Sequence, residues 1–174
     1  AACASCHHPA FAGADGLALS IGPGAVDPDV VGPGRRRADG EIRMHRNTPT
    51  FFNSGLFDRG LFWDSRVERL TDDEGAPVGI RTPATPLGEA DPNAGPNLLA
   101  AQARFPVGAP DEMRGGDLPG RSLGEVHTWL AERLGDYGEG AGLLPPSAWL
   151  ERFRTAFDSD APAEELITFD NVAL

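Results

Sequence analysis

Apolar residues recur at helical spacing in two stretches of the C-terminal third. From Ser122 onward, Val126, Trp129, Leu130 and Leu134 share one helix face, and Ser122-Leu123-Gly124-Glu125 forms a capping box ahead of them. Gly135 predicts the end of that helix. A second amphipathic helix is predicted over 147–157, from Ser147 to Phe157, with Leu150, Phe153 and Phe157 in register after Pro145-Pro146. Asn97 caps a run of good helix formers that ends at Arg104. Thr168-Phe169-Asp170-Asn171 reads as one more helix start, with Thr168 or Asp170 able to cap and only Val172, Ala173 and Leu174 after it. Short helical pieces are expected around 48–54 and 64–71, and a brief helix at the N-terminal entry. No strand pattern, internal repeat or low-complexity tract stands out.

The rest of the chain carries turn signals in place of periodicity. From about His8 to Arg46 they fall at Gly13, Gly16, Gly22-Pro23-Gly24 and Gly32-Pro33-Gly34, and five prolines between Ala76 and Pro96 predict a second extended loop. The totals of 22 glycines and 16 prolines are high for a helical chain, so long irregular connections are expected. A length of 174 residues with 40% hydrophobic content permits one compact domain with a core.

Charge narrows the choice of partners. A net charge of -11 arises from 26 acidic residues against 15 basic ones, all of them arginine. An acidic surface argues against phosphate-backbone binding and suits encounter with a small basic electron-donor protein. Arg35-Arg36-Arg37, the only basic run, reads as a solvated turn. No apolar stretch approaches the roughly 18 residues of a membrane span.

The strongest chemical signal is Cys3-Ala4-Ser5-Cys6-His7. Two thiols three positions apart, followed directly by histidine, form the arrangement that attaches a c-type haem. Each thiol adds to one vinyl group, and His7 is placed to coordinate the iron. The rival is a Cys2His2 zinc site, which would need His45 or His127 to arrive from a distant segment. Both cysteines lie inside the motif, so neither remains for a disulfide. Maturation of c-type haem takes place outside the energy-transducing membrane, which predicts a periplasmic protein. Ala1 lies only two residues before Cys3, and the last helix has room for a single turn; both ends are therefore expected to be truncated. The overall expectation is a mostly α, cytochrome c-like haem domain over 1–174 with long irregular Gly/Pro-rich loops.

The ordered set Cys3–His7, Gly13-Ala-Asp-Gly16, Ser20-Ile21-Gly22, Arg46-Asn47-Thr48-Pro49-Thr50, Phe62-Trp63-Asp64-Ser65-Arg66, Glu112-Met113 and Thr168–Asn171 resembles the amino-terminal half of bacterial di-haem cytochrome c peroxidases and their methylamine-utilisation relatives. The resemblance implies a peroxidatic haem on this half, with electrons delivered through a second haem domain, and hydrogen peroxide as substrate. No second Cys-x-x-Cys-His occurs, so that second domain is expected to be absent from the chain. Trp63 matches the tryptophan between the two haems, a candidate electron relay; packing against haem is its plainer role. Glu112 matches the distal acid, which would move protons between the peroxide oxygens; without the resemblance it is a surface glutamate beside Asp111. Asn47 matches a position associated with calcium, although it offers one oxygen toward the roughly six to eight such a site takes.

One position departs from the family pattern. Pro23 stands where the classical peroxidases carry a histidine able to cap the iron, and proline cannot ligate. His45, Met44 and Met113 are the remaining candidates for a sixth ligand; His8 reads as a solvent or propionate contact and His127 as helix packing. The resemblance thus leaves a peroxide-reducing domain, a mono-haem electron-transfer cytochrome, or a methylamine-utilisation-type oxidase acting on a protein partner. Exposed apolar surface at Trp63 and near Thr168, where the second haem domain would pack, predicts dimerisation or aggregation of the isolated chain.

Overall fold

The computed structural model describes residues 2–41, 43–145 and 148–174. The expected helix start at Pro146-Ser147 and the position of Ala1 lie outside the described residues. The chain forms two compact units, Ala1–Pro119 and Gly120–Leu174.

The first unit opens with α1 (Cys3–Cys6) and then follows an irregular path marked by single 3-10 turns at Pro9–Phe11, Gly32–Gly34 and Ser54–Leu56. Its regular centre is a three-stranded antiparallel sheet in the order β1 (Gly60–Leu61), β2 (Val67–Thr71), β3 (Pro77–Arg81). Leu61 pairs with Val67 and Arg69 with Ile80, and the β2–β3 register shifts between Leu70 and Thr71. One face of the sheet buries Val67 and Ile80 with Ala94, Leu98 and Ala101, and Leu61 and Phe105 pack at the edge of that cluster. Leu98 and Ala101 come from α2 (Leu98–Ala103), which packs on β1 and β2. Asn97 caps α2 as expected, its Oδ1 accepting from the Ala100 N–H at 2.9 Å.

The sheet overturns two expectations. Helix was predicted around 64–71 and loop from Ala76, yet these segments supply β2 and β3. Val67-Glu68-Arg69-Leu70-Thr71 is too short for its alternation to stand out, and the force that makes it a strand is burial of Val67 against Ile80, thirteen residues away. Pro77 is tolerated because β3 is an edge strand and Pro77 is its first residue. The expectation of a mostly α, cytochrome c-like fold is likewise corrected: the structure is only 34% helical, with short helices and a three-stranded antiparallel sheet.

The second unit is helical: α3 (Leu123–Gly135), α4 (Trp149–Phe157), α5 (Ala163–Leu166) and α6 (Phe169–Val172). The capping box is formed in full, with Ser122 Oγ accepting from the Glu125 N–H and Glu125 Oε2 accepting from the Ser122 N–H at 2.8 Å. Val126, His127 and Ala131 form the buried stripe of α3, and the His127 ring stacks flat on Phe169 at 3.8 Å. Thr168 caps α6 through the Asn171 N–H, and the Tyr137 hydroxyl donates to the Ile167 carbonyl at 2.9 Å. Among the described residues no helix is long and apolar enough to cross a membrane.

Ser122→Ala removes both hydroxyl bonds of the capping box; thermal unfolding should show a loss of about 1 kcal/mol, with the melting temperature of the wild type as reference.

Candidate functional site

Cys3, Cys6, His7, Asn47, Trp63 and Glu112 all belong to the first unit. In α1 the His7 N–H donates to the Cys3 carbonyl at 2.7 Å, so both cysteines and the histidine belong to one turn. Cys3 is exposed and Cys6 half-buried. His7 Nδ1 lies 3.1 Å from the Gly13 carbonyl oxygen. A ring N–H bonded to a backbone carbonyl fixes the tautomer and leaves Nε2 as the free, basic nitrogen, the usual preparation of a metal-binding imidazole. Gly13 has a left-handed φ of 76°, and a Cβ there would come within 3.0 Å of Phe51 and Thr50. Glycine therefore lets the carbonyl that holds His7 sit against Phe51, whose ring meets His7 edge-on at 6.2 Å.

A second layer is built by the loop 20–23. Cys6 Sγ donates to the Ile21 carbonyl at 3.6 Å, and Ser20 Oγ bonds to the buried Thr48 hydroxyl. Burial, then the Asp15 carboxylate, push the Cys6 thiol above its ordinary pKa, so it is neutral at physiological pH. Gly22 lies directly on the peptide that carries the candidate acid: a Cβ there would fall 2.3 Å from the Asp111 carbonyl oxygen and 2.4 Å from that of Glu112. Pro23 packs against Gly115 at the end of the same peptide.

Glu112 sits on a single π-helical turn, Pro110–Arg114, where Arg114 N–H reaches the Ala109 carbonyl and Gly115 N–H that of Pro110, both at 3.0 Å. Such wide turns are rare and concentrate at functional sites. Burial pushes the Glu112 pKa up; Arg66 and His7, both within electrostatic reach, pull it back down. The turn also carries Met113.

Phe62-Trp63-Asp64-Ser65-Arg66 is the loop joining β1 to β2, with left-handed φ at Phe62 and Ser65. Arg66 is held by Asp64 at 3.0 Å and lies over the Phe62 ring at 4.8 Å. Trp63 is 68% exposed, and the Arg46 guanidinium covers one face of its indole at 4.2 Å. Phe51, Phe52, Leu56 and Phe57 are exposed as well. Asn47 is exposed between Arg46 and buried Thr48. Among the described residues no group of three or more His, Cys, Asp or Glu is gathered that could hold a metal ion, so the ligands of a zinc site are not assembled.

Sequence reasoning assigned no role to Arg66, Thr48 or Asp15, and it misread Arg35. Arg35 is only 2% exposed. Its neighbours Arg36 and Arg37 in the run gave it the signature of a solvated turn, and nothing local distinguishes it from them.

The chain matches the family model of the di-haem cytochrome c peroxidases over residues 1–174. It belongs to that family. No curated protein and no solved structure matches it significantly. Membership in the di-haem cytochrome c peroxidases makes haem the cofactor and oxidoreductase chemistry the activity class.

Gly22→Ala tests the packing of loop 20–23 on the Glu112 turn. Two backbone carbonyls cannot yield as a side chain would, so we expect a loss of about 1–3 kcal/mol in thermal unfolding, whereas Gly116→Ala, with open space around it, should leave packing undisturbed.

Proposed function

We propose that Cys3 and Cys6 hold a haem covalently, that His7 is its axial ligand, and that hydrogen peroxide is reduced there with electrons from a second haem domain. The seating of the Glu112 turn on Gly22, next to the Ile21 carbonyl that meets Cys6, carries this reading, since it brings an acid from a remote segment beside the Cys3–His7 motif. The Nδ1 contact of His7 and the exposed rings around residues 51–63, which suit an apolar macrocycle, support it. When bound, the haem supplies the redox-active iron.

The reaction takes two electrons and two protons into hydrogen peroxide and yields two waters. Glu112 handles the proton: its carboxylate accepts one from one peroxide oxygen and returns it to the other as the O–O bond breaks. A carboxyl partly withdrawn from water holds that proton more readily than an exposed one, and Arg66 keeps the charged form accessible. Pro23, packed beside the Glu112 turn, cannot ligate iron, so loop 20–23 would supply no sixth ligand to a bound haem. Trp63 is the electron entry, its exposed indole facing the second haem domain. The acidic surface receives a small basic donor protein, and haem attachment places the reaction in the periplasm. Asn47 offers one oxygen toward the roughly six to eight that a calcium site takes, so calcium is left out of this scheme. The exposed rings at 51–63 also favour a second reading, an oxidase acting on a protein partner.

Mass spectrometry of the denatured chain should show the polypeptide plus one haem; a bare polypeptide mass overturns the attachment. Glu112→Gln should slow reaction with peroxide about 10²–10⁴-fold with haem attachment intact. A haem that is low-spin and inert to peroxide would assign the chain to electron transfer instead.

The raised pKa of Glu112 also fixes a pH dependence. Below that pKa the acid is already protonated and cannot accept from peroxide, so the rate should rise with pH through a limb above the ordinary glutamate range. Arg66→Gln removes a cation that lowers the pKa and should move the limb higher. The sign for stability is opposite: the folded chain binds this proton more tightly than the unfolded one, so stability falls as pH climbs from the ordinary glutamate range through the raised value. Stopped-flow rates and thermal melts across pH measure the two effects.

A further inference from the structure

Arg35 is buried, always charged, and hydrogen-bonded only to backbone carbonyls. Nε donates to Ile21 at 2.8 Å, Nη2 to Gly22 at 3.0 Å, and Nη1 to Val30 at 2.8 Å and Pro28 at 3.2 Å. A buried guanidinium costs several kcal/mol unless its donors are met, and here four carbonyl dipoles meet them with no carboxylate bonded to it. Asp15, a buried acid that like Arg35 acts electrostatically on Cys6, is 1% exposed; its Oδ1 accepts from the Leu17 N–H while Oδ2 has no hydrogen-bond partner among the described residues.

Two of the four carbonyls that Arg35 grips belong to the site. Ile21 accepts from Cys6 Sγ, so sulfur and guanidinium share one oxygen. Gly22 is the residue pressed on the Asp111 and Glu112 carbonyls. A thioether has no S–H, so once Cys6 is alkylated Arg35 is the remaining side-chain donor to Ile21. We propose that Arg35 is a positioning residue that holds loop 20–23 between the haem-bearing Cys6 and Glu112, and that its buried positive charge raises the reduction potential of the haem. The inference rests on the reading of Cys3–His7 and Glu112 given above.

The physics separates fork from charge. Oxidised haem carries one more positive charge than reduced haem, so a fixed cation in a poorly screened interior disfavours oxidation. Three nitrogens reaching two strands of loop at once require the planar guanidinium, which lysine cannot reproduce.

The test uses the haem-loaded protein and three variants. Arg35→Gln should lower the midpoint potential of the haem borne by Cys3–His7 and slow peroxide reaction by about 10–100-fold, the usual effect of losing an outer-shell partner. Arg35→Lys should keep the potential near wild type yet show the slower peroxide reaction. Arg36→Gln, which removes an exposed charge one residue along, should change neither. An unchanged potential in Arg35→Gln, or an equal fall in Arg36→Gln, overturns the proposal. If Arg35→Gln fails to load haem, Arg35→Lys decides: wild-type behaviour in both readouts overturns the role, since a purely structural arginine would alter melting alone. Wild-type protein lacking covalent haem would instead sink the attachment reading, which the mass of the denatured chain reports separately.

Discussion

The carbonyl oxygen of Ile21 lies between the Cys6 sulfur on one side and the Arg35 guanidinium on the other, and the geometry of the first unit's site follows from that shared acceptor. Fixing Ile21 fixes Gly22, and Gly22 is the platform for the Glu112 turn. Thr48 secures Ser20, the residue before Ile21. A loop with almost no regular hydrogen bonding thereby becomes as determinate as a strand. The enabling condition is a buried cation held by four carbonyls, which tolerates desolvation because every bond it makes is charge-assisted.

Local chemistry was readable from the sequence. Asn97 and Ser122 cap the helices they precede, and Thr168 caps α6, because capping involves residues three positions apart. The sheet was not readable: β2 and β3 owe their conformation to a core shared by Val67, Ile80, Leu98 and Ala101, a fact of tertiary packing. Without that core, 64–71 passes for helix and 76–96 for proline-broken loop.

The site divides along the same line. Cys3, Cys6 and His7 announce themselves by spacing alone. Glu112 and Trp63 needed the resemblance, because an Asp-Glu pair in an acidic chain and one exposed tryptophan have no local mark. Arg35 ran against its signal: three consecutive arginines suggest solvent, and only the convergence of Ile21, Gly22, Pro28 and Val30 draws the first of them inside.

The hairpin loop 62–66 has a consequence of its own. Trp63 and Arg66 stand on opposite shoulders of one five-residue loop, pinned by left-handed backbone at Phe62 and Ser65. One of them is the exposed indole; the other lowers the proton affinity that burial gives Glu112. A body that displaced this loop through the indole would carry the guanidinium with it, and contact at the surface would then bear on acidity in the interior. By reciprocity, the protonation state of Glu112 would bear on how firmly anything holds Trp63.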